Sequence, residues 1–253
     1  MGDEIYARPR DLRIGTFAEQ IAIDADDVAL KPGSLSFAEA GAVPLVALAA
    51  WQALVEVADV KPGQKVLVHA GAGGLGSTVI QVAKHLGAHV ATTASSKDVE
   101  KVRALGADVV VDYTAQDFTE VLSGYDVVLD SLGADSLERS LTVLRPGGLA
   151  ISAVGPPDPA FATQLGKPLL KPVMALLSRK IRRRAKRLGV RYSFLFMRAS
   201  GAQLTTLAGL YADGTLRPVL DRTFPFADTM AAMAHVEQGR ANGKVVVTRG
   251  APT

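Results

Sequence analysis

Three glycines at fixed spacing are the first residues in this chain whose types suggest a chemistry. Gly71, Gly73 and Gly76, within Gly71-Ala-Gly73-Gly74-Leu75-Gly76, match G-x-G-x-x-G between the apolar run Lys65-Val-Leu-Val-His-Ala70 and a helical stretch. In such a turn the first glycine permits the tight reversal and the second lets backbone approach a pyrophosphate. The third lets the helix pack close to the strand. Unpaired N–H groups and the positive dipole end at the helix start suit phosphate. The same glycines alone would also make a plain strand-to-helix turn. The strand before them and the helix after them favour a dinucleotide.

Which dinucleotide depends on the end of the next strand. An NAD site places Asp or Glu there to accept from the ribose hydroxyls. This chain has Thr92-Thr93-Ala94-Ser95-Ser96-Lys97, with no acid before Asp98. Ser95, Ser96 and Lys97 can donate to, or neutralise, a 2′-phosphate, so NADPH is expected over NADH. The serines can also cap the following helix, and both roles can hold at once. The histidines, His69, His85, His89 and His235, show no metal spacing with a carboxylate partner, and cysteine is absent. No metal site is expected, and no Ser-His-Asp arrangement can be assembled.

The elements that must position these residues alternate in type. After the strand at 65–70 and a helix over 74–86 come strands His89–Thr93, Asp108–Val111 and Tyr125–Asp130, with a helix near 97–105. A helix running to Leu144, the turn Arg145-Pro-Gly-Gly148, the strand 148–153 and a sixth strand over 192–197 follow. Strands alternating with helices predict an α/β fold, a doubly wound parallel sheet with right-handed crossovers. The flanks differ: a β-like stretch Phe17–Ile23, then in the tail a strand 219–226, a helix 227–239 and a strand 244–248. Whether the two ends pair as a smaller β-rich unit is left open by the sequence.

The chain has 253 residues, 48% apolar and 21% charged, which is enough for a sizeable core. The absence of cysteine fits a reducing compartment and the start, Met1-Gly-Asp-Glu4, leads into no apolar signal stretch, so a cytoplasmic location is expected. The net charge of +3 is uneven. Ten Lys or Arg and no Asp or Glu lie between Lys167 and Arg191, leaving 18 basic residues against 25 acidic elsewhere, a net of −7. The basicity belongs to one segment, and no nucleic-acid partner is expected from it.

Taken together, these motifs resemble the medium-chain dehydrogenase/reductase superfamily, in its zinc-independent quinone oxidoreductase branch. The resemblance rests on Gly41 to Leu54, Val60 to Val68, Ala70 to Gly76, Leu105-Gly-Ala-Asp108, Asp130-Ser-Leu-Gly133, Arg145-Pro-Gly-Gly148 and Gly243-Lys-Val-Val-Val247. It implies a Rossmann domain over 35–213 and a partial GroES-like catalytic domain over 1–34 and 214–253. It also implies that Gly71, Gly73, Gly74, Leu75 and Gly76 cradle the pyrophosphate and that Ser96 and Lys97 meet the 2′-phosphate. Tyr113 would lie near the adenine, and Ser131, Gly133, Val154 and Gly155 would line the nicotinamide and its ribose. Asn242 and Lys244 would close over the cofactor. For Tyr113 a half-buried strand-end aromatic, and for Lys244 an exposed strand-start lysine, are equally good readings.

Two departures stand out: Ala49 occupies a position where the family commonly has threonine, and the family carries further chain before the stretch matching Met1–Tyr6. The chain is expected to be a truncated piece, a mis-started gene reading or a natural short form.

The activity implied is NADPH-dependent hydride transfer to a small molecule, a quinone or an α,β-unsaturated carbonyl, by a homodimer. A quinone takes its proton from water, so no protein acid is obligatory. The competing reading is a non-catalytic NADPH-binding protein acting as a sensor or interaction module. Residues 168–189 predict one amphipathic helix with a basic end. It is, in order of preference, a solvated cap over the cofactor cleft, a peripheral membrane contact on anionic lipid, or a nucleic-acid arm. Phe194 and Phe196, on one side of the sixth strand, are candidates to face the substrate.

Overall fold

A computed structural model describes residues 2–11, 15–239 and 241–250. In chain order, β1 (Ile5–Ala7) and β2 (Val28–Leu30) precede α1 (Phe37–Ala42), α2 (Pro44–Trp51), β3 (Lys65–Val68) and α3 (Gly76–His85). Then come β4 (His89–Ala94), α4 (Val99–Ala104), β5 (Val109–Asp112), α5 (Phe118–Val121), β6 (Tyr125–Asp130), α6 (Ala134–Ser140) and β7 (Leu144–Ser152). The chain continues through α7 (Pro159–Gln164), α8 (Lys171–Leu177), α9 (Arg179–Arg187) and β8 (Arg191–Phe194). It closes with α10 (Gly201–Ala212), β9 (Leu220–Pro225), α11 (Thr229–Glu237) and β10 (Lys244–Thr248).

Strands β3 to β8 form one parallel sheet in the order β5-β4-β3-β6-β7-β8. The order reverses between β3 and β6, the switch point at which doubly wound sheets bind ligands. The expected α/β fold is therefore present. Its strands are near-continuous apolar runs because both faces are covered: Val66, Leu67 and Val68 are fully buried, as are Val128 and Ala150. Leu137 of α6, Leu141 just after it, and Ile181 and Ala185 of α9 complete the same core.

The chain divides into two compact units, one of residues 1–51, 72–81 and 197–253, the other of residues 52–71 and 82–196. The sheet lies in the second. In the first, β1 pairs antiparallel with β2, and β9 pairs parallel with β10 across α11. Tyr6 Oη donates to the Leu204 carbonyl of α10 at 2.6 Å, and Ser34 Oγ to that of Tyr211 at 3.2 Å. Both chain ends thus share a unit, but as two separate two-stranded ladders.

Three local expectations are corrected. Phe17–Ile23 forms no strand. Its residues bend and stay mostly exposed, and alternation without a partner ladder does not hold a strand. The helix expected to reach Leu144 stops at Ser140, and Leu144 already pairs with Tyr125. Arg145 to Gly148 is an irregularity inside β7, pinned where Arg145 Nε donates to Asp126 at 2.5 Å. Finally, residues 168–189 are not one helix. Ser178 leaves helical geometry between α8 and α9, its buried hydroxyl turned back to the Met174 carbonyl at 2.7 Å.

Candidate functional site

In the sheet unit, the residues after β3 set up the glycine turn. Ala70 has φ 53°, a left-handed conformation that an L side chain rarely adopts. It is held by two hydrogen bonds into β4: Ala70 N–H to Thr93 Oγ1 at 3.2 Å, and Gly71 N–H to the Thr93 carbonyl at 3.0 Å. Strain imposed at the mouth of a turn fits a site that must place backbone amides.

Beneath it runs a buried polar wire. His69 Nδ1 lies 3.1 Å from Thr93 Oγ1, and Nε2 lies 2.8 Å from Ser140 Oγ, whose hydroxyl is 2.7 Å from the Ser136 carbonyl. With Ser140 donating to that carbonyl, Nε2 carries the imidazole proton and Nδ1 accepts from Thr93. Burial pushes the His69 pKa down to about 4, so the ring is neutral near pH 7. Beside the wire lies a groove of about 480 Å³ lined by His69, Thr93, Tyr113, Phe118, Leu132 and Arg139, among others.

The loops after β6 and β7 are organised by Asp130, which is fully buried. Gly133 N–H donates to its carboxylate at 3.0 Å and Ser152 Oγ at 2.8 Å. Ser152 Oγ in turn accepts from Gly155 N–H at 2.9 Å. One carboxylate and one hydroxyl thereby fix the loops carrying Ser131, Gly133, Val154 and Gly155, and the sheet edge brings those four expected residues together. Val154 is 57% exposed, its side chain open to a ligand. Gly155 must be glycine, since a Cβ there would stand 2.7 Å from Tyr192 Oη and 2.8 Å from Ser152 Oγ. Tyr192 Oη donates to the Pro156 carbonyl at 2.7 Å, and burial raises its pKa.

After β4 the arrangement is open. Ser95 Oγ donates to Asp98 at 2.5 Å, and Ser96 Oγ donates to Asp112 from the end of β5. Lys97 is exposed and Tyr113 is 63% exposed. Asp112 was not among the expected residues. It lies sixteen residues beyond Ser96, and only the β4–β5 register sets it beside that serine. Hydrogen bonds from Ser96 and Thr114 hold its carboxyl below the usual range, so it is charged at neutral pH. Phe194 and Phe196 both pack edge-on against Phe161, at 5.2 and 4.7 Å between centroids, which accounts for their shared side.

In the other unit, Gly74 and Leu75 lead into α3, with Ser77 N–H to the Gly73 carbonyl at 3.0 Å and Val79 N–H to that of Leu75 at 3.0 Å. Lys244 crosses the turn: a Cβ on Gly74 would meet its Cδ at 2.6 Å and the Gly243 carbonyl at 3.2 Å. Lys244 starts β10 but is half-buried rather than exposed, and desolvation lowers its pKa. Asn242 N–H donates to Asp221 at 3.2 Å, whose second oxygen lies 2.6 Å from His235 Nε2. Sequence reasoning missed Asp130, Ser152, Asp112 and Asp221. The first two close the strands β6 and β7, where a polar residue ending a buried run was the available signal.

A family model described as zinc-binding dehydrogenase matches residues 105–247, more than half of the chain. The chain belongs to the medium-chain dehydrogenase/reductase superfamily. Across 260 residues it is 35% identical to a mouse protein described as NAD(P)H oxidoreductase RTN4IP1, mitochondrial, covering 97% of this chain and 64% of that one. It is 32% identical over 256 residues to an NADPH-dependent alkenal/one oxidoreductase, chloroplastic, of Arabidopsis thaliana, covering 97% and 58%. Among solved structures, a quinone oxidoreductase from Coxiella burnetii superposes with a TM-score of 0.76 at 29% identity, over 90% of this chain and 66% of that one. The chain thus spans less than two thirds of the length of these curated relatives. Despite the model's description, no group of three or more His, Cys, Asp or Glu among the described residues has the arrangement of a metal site.

Proposed function

We propose that this member of the superfamily is a zinc-independent oxidoreductase that uses NADPH to reduce a small quinone or an α,β-unsaturated carbonyl. One observation carries the reading: a glycine fingerprint leaves β3 where the strand order of a parallel sheet reverses. The relatives' names add the reductase character and both acceptor classes. Bound NADPH would supply the hydride. The chain's own work is placement. Gly71, Gly73, Gly74, Leu75 and Gly76 receive the pyrophosphate, and Ser95, Ser96 and Lys97 receive the 2′-phosphate. Tyr113 lies along the adenine. Ser131, Gly133, Val154 and Gly155 hold the nicotinamide and its ribose, and Asn242 and Lys244 close from the tail. The active form is a homodimer.

The test is calorimetric titration with NADPH and NADH, followed by anaerobic oxidation of bound NADPH by a benzoquinone and by an enone. Micromolar NADPH binding, clear preference over NADH and turnover of either acceptor are expected. Binding without turnover of any acceptor would replace the enzyme with a nucleotide sensor. Lys97→Glu should weaken NADPH at least tenfold more than NADH, because attraction to the 2′-phosphate becomes repulsion. Equal loss for both would remove Lys97 from the site.

A further inference from the structure

Helix α9 is held at a fixed rotation. Ile181 and Ala185, one turn apart, are buried in the core. On one flank Glu138 of α6 binds Lys180 at 2.5 Å and Arg184 at 3.3 Å. That rotation turns Arg179, Arg183 and Arg187 outward on a single stripe, each four residues from the next. Among the described residues none of the three makes an ion pair. Like charges at this spacing repel and weaken a helix.

Next to the stripe, apolar side chains of α8 and of the turn before it stand uncovered. Leu169 is 92% exposed, Leu176 66%, Leu177 55% and Val173 50%. Leu176 and Leu177 share one open groove of about 370 Å³ with Arg179, Lys180, Arg183 and Arg187. Lys167 and Lys171 flank Leu169 and Leu170, and no acid lies between Lys167 and Arg191.

Two unfavourable features therefore stand side by side: unpaired cations and protruding leucines. A nucleic acid would relieve the first and leave the second. A solvated cap would relieve neither. A surface with anionic headgroups above an apolar layer relieves both, since leucines standing proud of a helix enter acyl chains while neighbouring arginines stay at the headgroups. We infer that the α8–α9 corner is a docking surface for an anionic lipid bilayer. No helix among the described residues is long and apolar enough to cross a membrane, so the contact is peripheral.

The experiment is co-sedimentation of the full chain with vesicles of phosphatidylcholine alone and of equal parts phosphatidylcholine and phosphatidylglycerol. Binding to the anionic vesicles only, falling as salt rises, is expected. The triple variant R179Q/R183Q/R187Q should bind about a hundredfold more weakly, at about fivefold per basic residue. The triple variant L169S/L176S/L177S keeps every charge and should still lose about tenfold or more. All six side chains lie at the surface, so circular dichroism and the melting temperature should be unchanged. Leu169→Ser alone serves if a triple variant fails to fold. Equal binding to both vesicle types, or binding to neither, would overturn the inference. Undiminished binding by the leucine variant would reassign the corner to polyanions. Complete displacement by soluble polyglutamate would reassign it to an acidic protein.

Discussion

At the β6–β7 half of the sheet edge, Asp130 has no exposure, and its oxygens accept from Gly133 N–H and the Ser152 hydroxyl. At the β4–β5 half of the same edge, Asp112 is half-buried, accepting from the Ser96 and Thr114 hydroxyls and from the Thr114 N–H. Both are strand-end aspartates, but they do different jobs. The buried one fixes loop backbone, which suits a place where a reacting group must be held to a fraction of an ångström. The half-buried one holds the Thr114 turn through that residue's N–H and hydroxyl and accepts from the Ser96 hydroxyl, which leaves a carboxylate beside a rotatable serine.

The largest test of that contrast is Asp130→Ala. It strands the Gly133 N–H and the Ser152 hydroxyl in a dry interior, and urea unfolding should show a loss of about 3 kcal/mol. Asp112→Ala should stay within about 0.5 kcal/mol of wild type in the same assay. Similar losses for the two would break the comparison.

The wire under the glycine turn gives a test by pH. His69 in the folded protein titrates at about 4, against about 6.5 when unfolded. Above pH 6.5 neither state carries the proton, and the histidine adds no pH dependence. As the pH falls from 6.5 to about 4, the unfolded chain takes up a proton that the folded chain refuses. Stability therefore declines across that window, by about 3 kcal/mol from this residue. His69→Phe should be less stable near neutrality, because Thr93 and Ser140 lose a partner, but should show a flatter decline. An unchanged slope would place the acid sensitivity elsewhere. A smaller loss is expected from Gly155→Ala, about 2 kcal/mol, as the added Cβ drives apart Tyr192 and Ser152. NADPH affinity should fall with it, as the loop shifts.

What the sequence made legible follows the same division. The six-stranded sheet was readable because fully buried strands are apolar runs such as Tyr125–Asp130, whose ends the structure reproduces. The glycine turn was readable because the G-x-G-x-x-G spacing directly follows the apolar run 65–70 and opens a helix. Phe17–Ile23 misled because alternation says nothing about whether a partner strand exists. Ser178 was invisible as a break, since serine in mid-helix is common and only its burial and its turn toward Met174 mark it. Asp112 was missed for a more general reason. Sites at a sheet edge assemble across strands: along the chain the first acid after Ser95 is Asp98, while the parallel register sets another beside Ser96 from the next strand.

That acid makes the smallest effect the most informative. Ser96 cannot donate to Asp112 and to a 2′-phosphate with the same proton, and the Asp112 carboxylate is charged at neutral pH. In the proposed site NADPH would therefore bind against one negative charge, which Lys97 would offset. Asp112→Asn removes the charge and keeps the shape. NADPH affinity should rise about fivefold, equivalent to about 1 kcal/mol for one screened charge near the surface. NADH, with no phosphate there, should change little, or weaken if Asp112 accepts from its ribose hydroxyls. Opposite movements of the two affinities would show that Asp112 sets the cofactor balance across the strand gap. If NADPH affinity falls instead, the Ser96–Asp112 pair positions the serine for the phosphate, and the exposed half of the edge is as preorganised as the buried one.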